Sequence, residues 1–323
     1  MTLPLVTIGL TCFNAQDTIS RAIESALAQD WRKKEVVIVD DCSTDNSVEV
    51  AEAAAGADPQ VRLLCHEMNL GPAGSRNSIL ANARGEFVAF FDDDDESLPG
   101  RISTQVKLLT EYEQRTGARF VACYVSGLRH YPNGYVKLLP AIGSQGTSVP
   151  NGPGVAQYLL TFREHEGWFF GSGTPACSLL ARHSTFTEVG GFDRELRRVE
   201  DVDFAIRLAN MGGHFVGASE QLFVQYATVA EDKSPEKNLE AEQRLVEKNE
   251  PYLRSIGLYY YALHWPKLRY WHFKRRYGRF ALELLGLILR NPMRATAHLF
   301  KTGPRRILHE RSMRKRGVSR SCG

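Results

Sequence analysis

Four aspartates and a glutamate in succession, residues 92–96, form the strongest chemical signal in the sequence. They follow the apolar run FVAFF (87–91), whose length and aromatic content predict a buried strand. The acids therefore stand at the carboxyl end of a strand, where open α/β sheets bind ligands. Adjacent carboxylates repel one another and suit a hard divalent ion such as Mg²⁺ or Mn²⁺. A solvated acidic turn ahead of a helix is the alternative interpretation.

Polar residues also follow the strands predicted earlier in the chain. The apolar runs that predict these strands are residues 5–10, 35–39 and 61–65. Strand and helix alternate at this rhythm in parallel, doubly wound sheets, so the strand ends meet at one edge. That edge would gather TCFN (11–14), DDCSTD (40–45) and the helix that carries Arg76. Asp40, Ser43 and Asp45 are equally suited to capping the following helix.

Five segments then fall in an order that is known from one family. They are residues 8–14 (IGLTCFN), 39–45 (VDDCSTD), 69–77 (NLGPAGSRN), 91–95 (FDDDD), and GGFD (190–193) followed by EDVDF (200–204). Over residues 4–226 the chain resembles glycosyltransferase family 2, inverting nucleotide-sugar-dependent enzymes of the GT-A fold. The resemblance implies an α/β catalytic domain, residues 1–230, with a Rossmann-like, mostly parallel sheet.

The resemblance also implies which residues hold the donor. Thr11, Asn14 and Asp41 are expected to hydrogen-bond the nucleobase and ribose. Arg76 would offset the diphosphate charge, or it would form a surface ion pair. The D-x-D motif maps onto Asp92 and Asp94. Of the acids there, the resemblance implies Asp94 and Asp95 at the metal or diphosphate and Asp92 at the ribose.

Asp201 is the expected catalytic base. Transfer with inversion requires an acceptor hydroxyl to lose its proton, and a positioned carboxylate can take it. The alternative is that Glu200, Asp201 and Asp203 simply favour a helix N-terminus. On the acceptor side we expect Glu200 and an aromatic platform made by Trp168, although such an aromatic residue is more often part of a core.

The sequence departs from the family pattern in two places. Many members have a histidine after the last strand, near the diphosphate and metal, whereas this chain reads VQYAT over residues 224–228. Because this histidine is missing, the sequence does not identify the remaining ligands of the metal. The Q-x-x-R-W signature of processive synthases is also absent from the sequence, which favours transfer of a single sugar.

Basic charge is concentrated at the end of the chain. From Trp265 onward there are 16 Lys and Arg against two acids, whereas the preceding residues carry 24 basic and 35 acidic side chains. Tyr, Trp and Phe are interleaved with these cations ahead of an apolar helix, a mixture that suits the interface of an anionic bilayer. The second interpretation of this segment is a helical cap on the catalytic domain, and the third is nucleic-acid binding. We expect residues 231–323 to form this membrane-associating helical extension.

Six scattered cysteines without metal-type spacing indicate reduced thiols. The N-terminus shows no signal peptide, and the longest apolar run, about ten residues at 280–289, is too short to span a bilayer. We therefore expect a cytoplasmic protein, peripheral on the inner face of the cytoplasmic membrane.

The sequence thus predicts an inverting hexosyltransferase of single-sugar type. Its donor would be a nucleoside-diphosphate sugar, a UDP-sugar in the first instance. Its acceptor would be a hydroxyl of a glycan or lipid-linked saccharide in cell-surface polysaccharide synthesis. The alternatives are an inactive nucleotide-sugar-binding module and a nucleotidyltransferase. A nucleotidyltransferase would ordinarily carry a Gly-rich, basic phosphate loop after the first strand, and residues 11–17 contain none.

Overall fold

The structure is a computed structural model that describes residues 3–227 and 234–315, without the side chains of residues 305, 314 and 315. The chain divides into two compact units. Unit 1 comprises residues 1–129, 137–159 and 164–226; unit 2 comprises residues 130–136, 160–163 and 227–323. The predicted boundary at residue 230 and Cys322 lie outside the described residues.

A parallel four-stranded sheet forms one half of unit 1, as the alternating pattern predicts. Apolar side chains are buried along its strands because helices cover both faces of such sheets. The strand order is β3-β2-β1-β4, with all three pairings parallel. The strands are β1 (Val6–Cys12), β2 (Lys34–Asp40), β3 (Val61–Cys65) and β4 (Phe87–Asp92).

The sheet continues beyond β4 in the order β8-β6-β9-β5, and here antiparallel pairing dominates. β8 runs antiparallel to both β4 and β6, and β5 runs antiparallel to β9. This part contains β5 (Asp95–Ser97), β6 (Val121–His130), β8 (Leu179–Arg182) and β9 (His214–Tyr226), with β7 (Val136–Leu139) paired to β6. The predicted α/β fold class is confirmed: the first four strands pair in parallel, and antiparallel strands extend the same sheet.

β9 is one long strand of 13 residues, and it pairs with both β6 and β5. A 3₁₀ turn, Ala176–Ser178, leads directly into β8.

Seven helices connect these strands. Their apolar positions pack on the sheet, and the largest buried cluster joins β1, β2 and β4 to α1 and α4. They are α1 (Ile19–Leu27), α2 (Ser47–Ala55), α3 (Gly71–Asn82), α4 (Arg101–Thr116), α5 (Pro153–Thr161), α6 (His183–Val189) and α7 (Glu200–Asn210).

Unit 2 is helical, as predicted for the C-terminal extension. Its helices are α8 (Pro235–Lys248), α9 (Glu250–Ser255), α10 (Tyr259–Phe273), α11 (Tyr277–Arg290) and α12 (Pro292–Lys315). Over the described residues, no helix has the length and apolar character that crossing a bilayer requires.

Candidate active site

The four aspartates do not continue the strand. β4 ends at Asp92 and β5 begins at Asp95, with Asp93 and Asp94 in a turn between them. On an extended backbone, alternate side chains would share a face, which would set Asp92 beside Asp94. A turn instead brings its first and fourth residues together. The structure therefore pairs Asp92 with Asp95.

Asp92, Asp95 and Cys177 form a convergent group. One ligand atom from each lies within 4.8 Å of those of the other two. Burial, reinforced by the charges of Asp92 and Asp94, raises the pKa of Asp95 well above its usual value. Asp94, predicted as a metal ligand beside Asp95, is not a member of this group among the described residues.

The two turn residues have separate contacts. Asp93 accepts a hydrogen bond from the backbone N–H of Phe13 at 2.9 Å, which joins the turn to the loop after β1. Burial raises the pKa of Asp93 to about 7. The backbone carbonyl of Asp94 accepts from Arg21 Nη2 at 2.9 Å. These contacts fix the turn between the two converging acids.

Arg76 on α3 links the acids at the end of β4 to the acids at the start of α7. Its guanidinium is buried, donates to Asp92 Oδ1 across 3.3 Å and pairs closely with Glu200. Although burial opposes its charge, the carboxylates of Glu200, Asp92 and Asp201 raise the pKa of Arg76 above its usual value. The ion pair expected as one alternative for Arg76 is therefore buried rather than superficial. Glu200, expected on the acceptor side, directs one carboxylate oxygen to Arg76.

Asp201 lies in the first turn of α7, beside Glu200. Its Oδ1 accepts from the N–H of Val202 at 2.8 Å, and the N–H of Ala176 also donates to this carboxylate. Burial and the charge of Glu200 raise its pKa to about 7. A carboxyl group with that pKa is suited to accepting and releasing protons near neutrality.

Asn77, to which the sequence analysis assigns no role, holds the GGFD turn (190–193) that lies between α6 and α7. Asn77 on α3 accepts from the N–H of Phe192 and donates to the carbonyl of Phe192, at 2.8 and 2.7 Å. Gly191 has a φ of +68°, and a Cβ there would come within 2.6 Å of the Asn77 side chain. The GGFD turn thus needs glycine at this position.

Asp41 is buried and already makes several hydrogen bonds. It accepts from the N–H groups of Leu70 and Gly71 at 2.8 and 2.7 Å, and its Oδ1 lies 2.7 Å from Nδ1 of His66. The other ring nitrogen of His66 lies 2.8 Å from Ser78 Oγ. These contacts favour a role in holding the loop before α3, in contrast to the predicted direct contact with the donor.

Thr11 and Asn14 lie at the end of β1, as predicted. Thr11 is half-buried beside Asp92, its partner in the β1–β4 register. Asn14 is exposed with a φ of +49°, and its side-chain oxygen accepts from the N–H of Thr44 at 2.8 Å. The two loops that follow β1 and β2 are thereby joined.

Trp168 lies in the segment between α5 and the 3₁₀ turn Ala176–Ser178. Its ring is half-buried, 4.5 Å from the ring of His165, and packs edge-on against Phe170. A Cβ on Gly154 of α5 would come within 2.8 Å of this indole. Trp168 thus has the packing of a partly buried core residue, and its contact with an acceptor stays a prediction.

Sequence reasoning missed His66, Arg129 and Gln225: His66 contacts Asp41, Gln225 contacts Asp95, and Arg129 contacts Gln225. Gln225 was noted only because histidine was missing nearby, yet its amide donates to Asp95 at 3.0 Å. Gln225 stands directly opposite Asp95 in the antiparallel pairing of β5 and β9. No sequence signal marks His66 or Arg129, and the partner of Gln225 follows only from that pairing.

The acidic group fits a divalent cation in part. Two converging carboxylates, one with a pKa raised by the charge of the other, are a site where a cation would relieve repulsion. The neighbouring Cys177 has a pKa held well above its usual value by burial, so it stays a neutral thiol, which is a poor ligand for Mg²⁺. The oxygen ligands are therefore the ones that suit such an ion.

Comparison with known proteins identifies relatives for this arrangement. The family model described as glycosyl transferase family 2 matches residues 7–166. Succinoglycan biosynthesis protein ExoO of Rhizobium meliloti is 46% identical over 104 residues, 32% of this chain and 29% of ExoO. Putative glycosyltransferase EpsE of Bacillus subtilis is 28% identical over 227 residues, 68% of this chain and 72% of EpsE. The match thus spans less than a third of ExoO but most of EpsE.

Solved structures share the fold. S. aureus TarS 1–349 in complex with UDP-GlcNAc superposes with a TM-score of 0.57 at 19% identity, covering 90% of this chain and 83% of that one. Mannosyltransferase PcManGT from Pyrobaculum calidifontis, solved with GDP-Man and Mn²⁺, gives a TM-score of 0.55 at 20% identity over 98% of this chain and 84% of that one. At these identities the likeness concerns the fold alone.

Proposed function

The chain belongs to glycosyltransferase family 2, and on that premise we propose that it is an enzyme that moves one sugar, with inversion, from a nucleoside-diphosphate sugar to a hydroxyl group. The acceptor would be a glycan or lipid-linked saccharide in the synthesis of a cell-surface polysaccharide. ExoO is named for succinoglycan biosynthesis, which supports this substrate class.

One observation carries the proposal. The acids at the end of β4 and the acids at the start of α7 are joined through a single buried cation, Arg76, which contacts Asp92 and Glu200. Asp95 faces Asp92, and Asp201 follows Glu200 directly. A leaving group and an attacking hydroxyl need such groups on opposite sides of one reacting carbon.

In the proposed reaction Asp201 acts as the general base. The acceptor oxygen bonds to the anomeric carbon while the bond from that carbon to the phosphate oxygen breaks. The acceptor proton moves to Asp201, and the electron pair of the broken bond leaves with the nucleoside diphosphate. The raised pKa of Asp201 makes its carboxylate a stronger base at neutral pH than an ordinary aspartate.

Asp95 is the proposed ligand of a divalent cation, Mg²⁺ or Mn²⁺. A bound cation would neutralise charge on the departing diphosphate. Asp95 is common to the predicted pair with Asp94 and to the convergent group with Asp92, so those two are the candidates for the second ligand. PcManGT was solved with Mn²⁺, which favours testing that ion first. Arg76 would stabilise the negative charge that collects there.

The donor pocket is proposed at the ends of β1 and β2. Thr11 and Asn14 remain the candidates for contacts with the nucleobase and ribose, because Thr11 lies near the end of β1 and Asn14 in the loop that follows it. Asp41 would act mainly by fixing the adjoining loop through Leu70 and Gly71. TarS binds UDP and UDP-GlcNAc in its solved complexes, and a UDP-sugar is accordingly the first donor to test.

A donor screen tests the proposal. Purified full-length protein is incubated with a panel of nucleoside-diphosphate sugars and saccharide acceptors, and released nucleotide and product are measured. Transfer with an inverted anomeric linkage supports the assignment, and retention of configuration contradicts it. Release of pyrophosphate would indicate a nucleotidyltransferase. Binding of a nucleotide sugar without turnover would indicate an inactive binding module.

Unit 2 is proposed to hold the enzyme on an anionic membrane surface, on the inner face of the cytoplasmic membrane. The aromatic residues of α10 that suggested this contact are largely packed inside the unit: Tyr261 is buried, and Trp265 stacks on His298 with ring centres 3.5 Å apart. Exposed apolar side chains lie on α11 and α12. On α11 they include Leu282, Leu285 and Leu289, with 71%, 53% and 74% of their surface exposed, and on α12 they include Met293 and Phe300, with 86% and 78%.

The composition of unit 2 favours lipid over a neutral partner. Leu282, Leu285 and Leu289 recur at helical spacing, so they form one stripe on α11. Cations far outnumber acids from Trp265 onward. An amphipathic helix with this character lies in the plane of a bilayer interface, and each cation adds on the order of 1 kcal/mol near anionic lipid.

A further inference from the structure

Three adjacent strands of unit 1 carry a chain of polar contacts that ends on Asp95. Arg129 of β6 donates through Nε and Nη2 to Gln225 Oε1 of β9, at 3.1 and 2.5 Å. Gln225 Nε2 donates to Asp95 Oδ2 of β5 at 3.0 Å and to Cys177 Sγ at 3.3 Å. Gln225 and Asp95 stand directly opposite each other in the antiparallel register.

The contacts of Arg129 determine which way the Gln225 amide faces. A glutamine side chain has one oxygen, which only accepts, and one NH₂ group, which only donates. Because the guanidinium holds the oxygen, the NH₂ group must face Asp95 and Cys177. The reverse orientation would set an oxygen against a carboxylate and an N–H against a cation. Arg129 therefore fixes the orientation of the Gln225 amide, so that its NH₂ group donates to Asp95.

We propose that Gln225, held by Arg129, is a positioning residue that orients the Asp95 carboxylate for a divalent cation. The inference rests on the proposed function, in which Asp95 is a metal ligand. The hydrogen bond from Gln225 uses one lone pair of Asp95 Oδ2, so the carboxylate keeps other lone pairs that can bind an ion. The same hydrogen bond fixes the orientation of the carboxylate plane. Ligating carboxylates are commonly oriented by such partners, whose loss costs about 10–100-fold in metal affinity.

Metal binding by the full-length chain provides the test. Mn²⁺ is titrated into the protein, alone and with UDP, and free Mn²⁺ is followed by its electron paramagnetic resonance signal. The variants are Gln225→Leu, which removes the amide, and Arg129→Met, which keeps an unbranched stem without the charge. Arg119→Met is the matched control, because Arg119 precedes β6 at the end opposite Arg129, about 30 Å along the strand.

We expect Gln225→Leu to weaken Mn²⁺ binding at least tenfold and Arg129→Met to weaken it by a smaller factor, with Arg119→Met unchanged. The double variant should lose no more than Gln225→Leu alone, because Arg129 acts through the amide. Gln225→His should restore much of the affinity, since a neutral imidazole can accept from Arg129 and donate to Asp95.

Unchanged Mn²⁺ affinity in a folded Gln225→Leu protein would overturn the inference, as would purely additive losses in the double variant. Wild-type protein that binds no Mn²⁺ under either condition would also overturn it, while sugar transfer measured separately could still stand. Conversely, a lowered affinity in the variants of a protein that transfers no sugar would support this inference and contradict the proposed function. Thermal melting of each variant identifies any that do not fold.

Discussion

The buried guanidinium of Arg76 donates to the carboxylate of Asp92, with 3.3 Å between Nη2 and Oδ1. The same guanidinium pairs with Glu200, so one cation from α3 ties the end of β4 to the start of α7. Buried charges of this kind are costly unless all partners are present. The position of the proposed base therefore depends on a residue that lies 124 positions before Glu200 in the sequence.

Replacement of Arg76 should destabilise the protein. Arg76→Met leaves Glu200 buried without its cation, and we expect the free energy of unfolding to fall by about 3–5 kcal/mol. Urea denaturation measures this value. The double variant with Glu200→Gln should recover part of the loss because it removes the unpaired charge; a double variant no more stable than Arg76→Met would contradict this explanation.

Transfer activity should depend on the ionisation of Asp201. Burial raises its pKa to about 7, and only the deprotonated carboxylate can accept the proton of the acceptor. We expect kcat/KM to rise with pH and level off above about 7. Rates measured from pH 5 to 9 check this dependence. A profile that is flat below pH 7 would count against Asp201 as the base.

The raised pKa of Asp201 should also lower the free energy of unfolding of the protein at neutral pH. Its pKa is about 7 in the folded protein and 3.8 as the ordinary value, so the folded state prefers the proton and stability is lost as pH rises between these values. Asp201→Asn should therefore unfold with a free energy higher by on the order of 2 kcal/mol at pH 8, and by little at pH 4. If Asp201→Asn raised the free energy of unfolding equally at pH 8 and pH 4, ionisation of Asp201 would be excluded as the cause of the gain.

Membrane binding should depend on the exposed stripe of α11. Changing Leu282, Leu285 and Leu289 together to Ser removes apolar area that would enter the interface, and we expect sedimentation with anionic vesicles to fall at least tenfold. Met68→Ser is the control, since Met68 is 66% exposed but lies in unit 1. Equal sedimentation of the triple variant and the wild type would contradict the assignment, and deletion after Trp265 should abolish binding.

The sequence was sufficient to predict the elements of unit 1 that position the acids. Hydrophobic runs of five or six residues between helical patterns defined β1 to β4, and their parallel pairing followed from alternation with helices. The turn at Asp93 and Asp94 was not predictable in this way. Four like residues give no periodicity to separate a strand from a turn, and pairing of β5 with distant β9 decides where the strand resumes.

Side-chain partners that come from distant strands account for most of what sequence reasoning missed. Asp41 was assigned to the donor because of its place in the motif, yet His66 and the N–H groups before α3 occupy its oxygens. Gln225 is 130 residues from Asp95, and only the register of β5 and β9 brings them together. Such contacts depend on tertiary pairing, which local pattern does not encode.

The rate of nucleoside-diphosphate release in the presence of donor and acceptor tests the central claim most directly, when wild type is compared with Asp201→Asn. Asp203→Asn is the matched control, because Asp203 lies in the same first turn of α7 but pairs with Arg207. We expect Asp201→Asn to lower the rate by about 10²–10⁴-fold and a folded Asp203→Asn to retain most of it. Equal release by wild type and Asp201→Asn would contradict the assignment of the base and of these acids as the site of transfer.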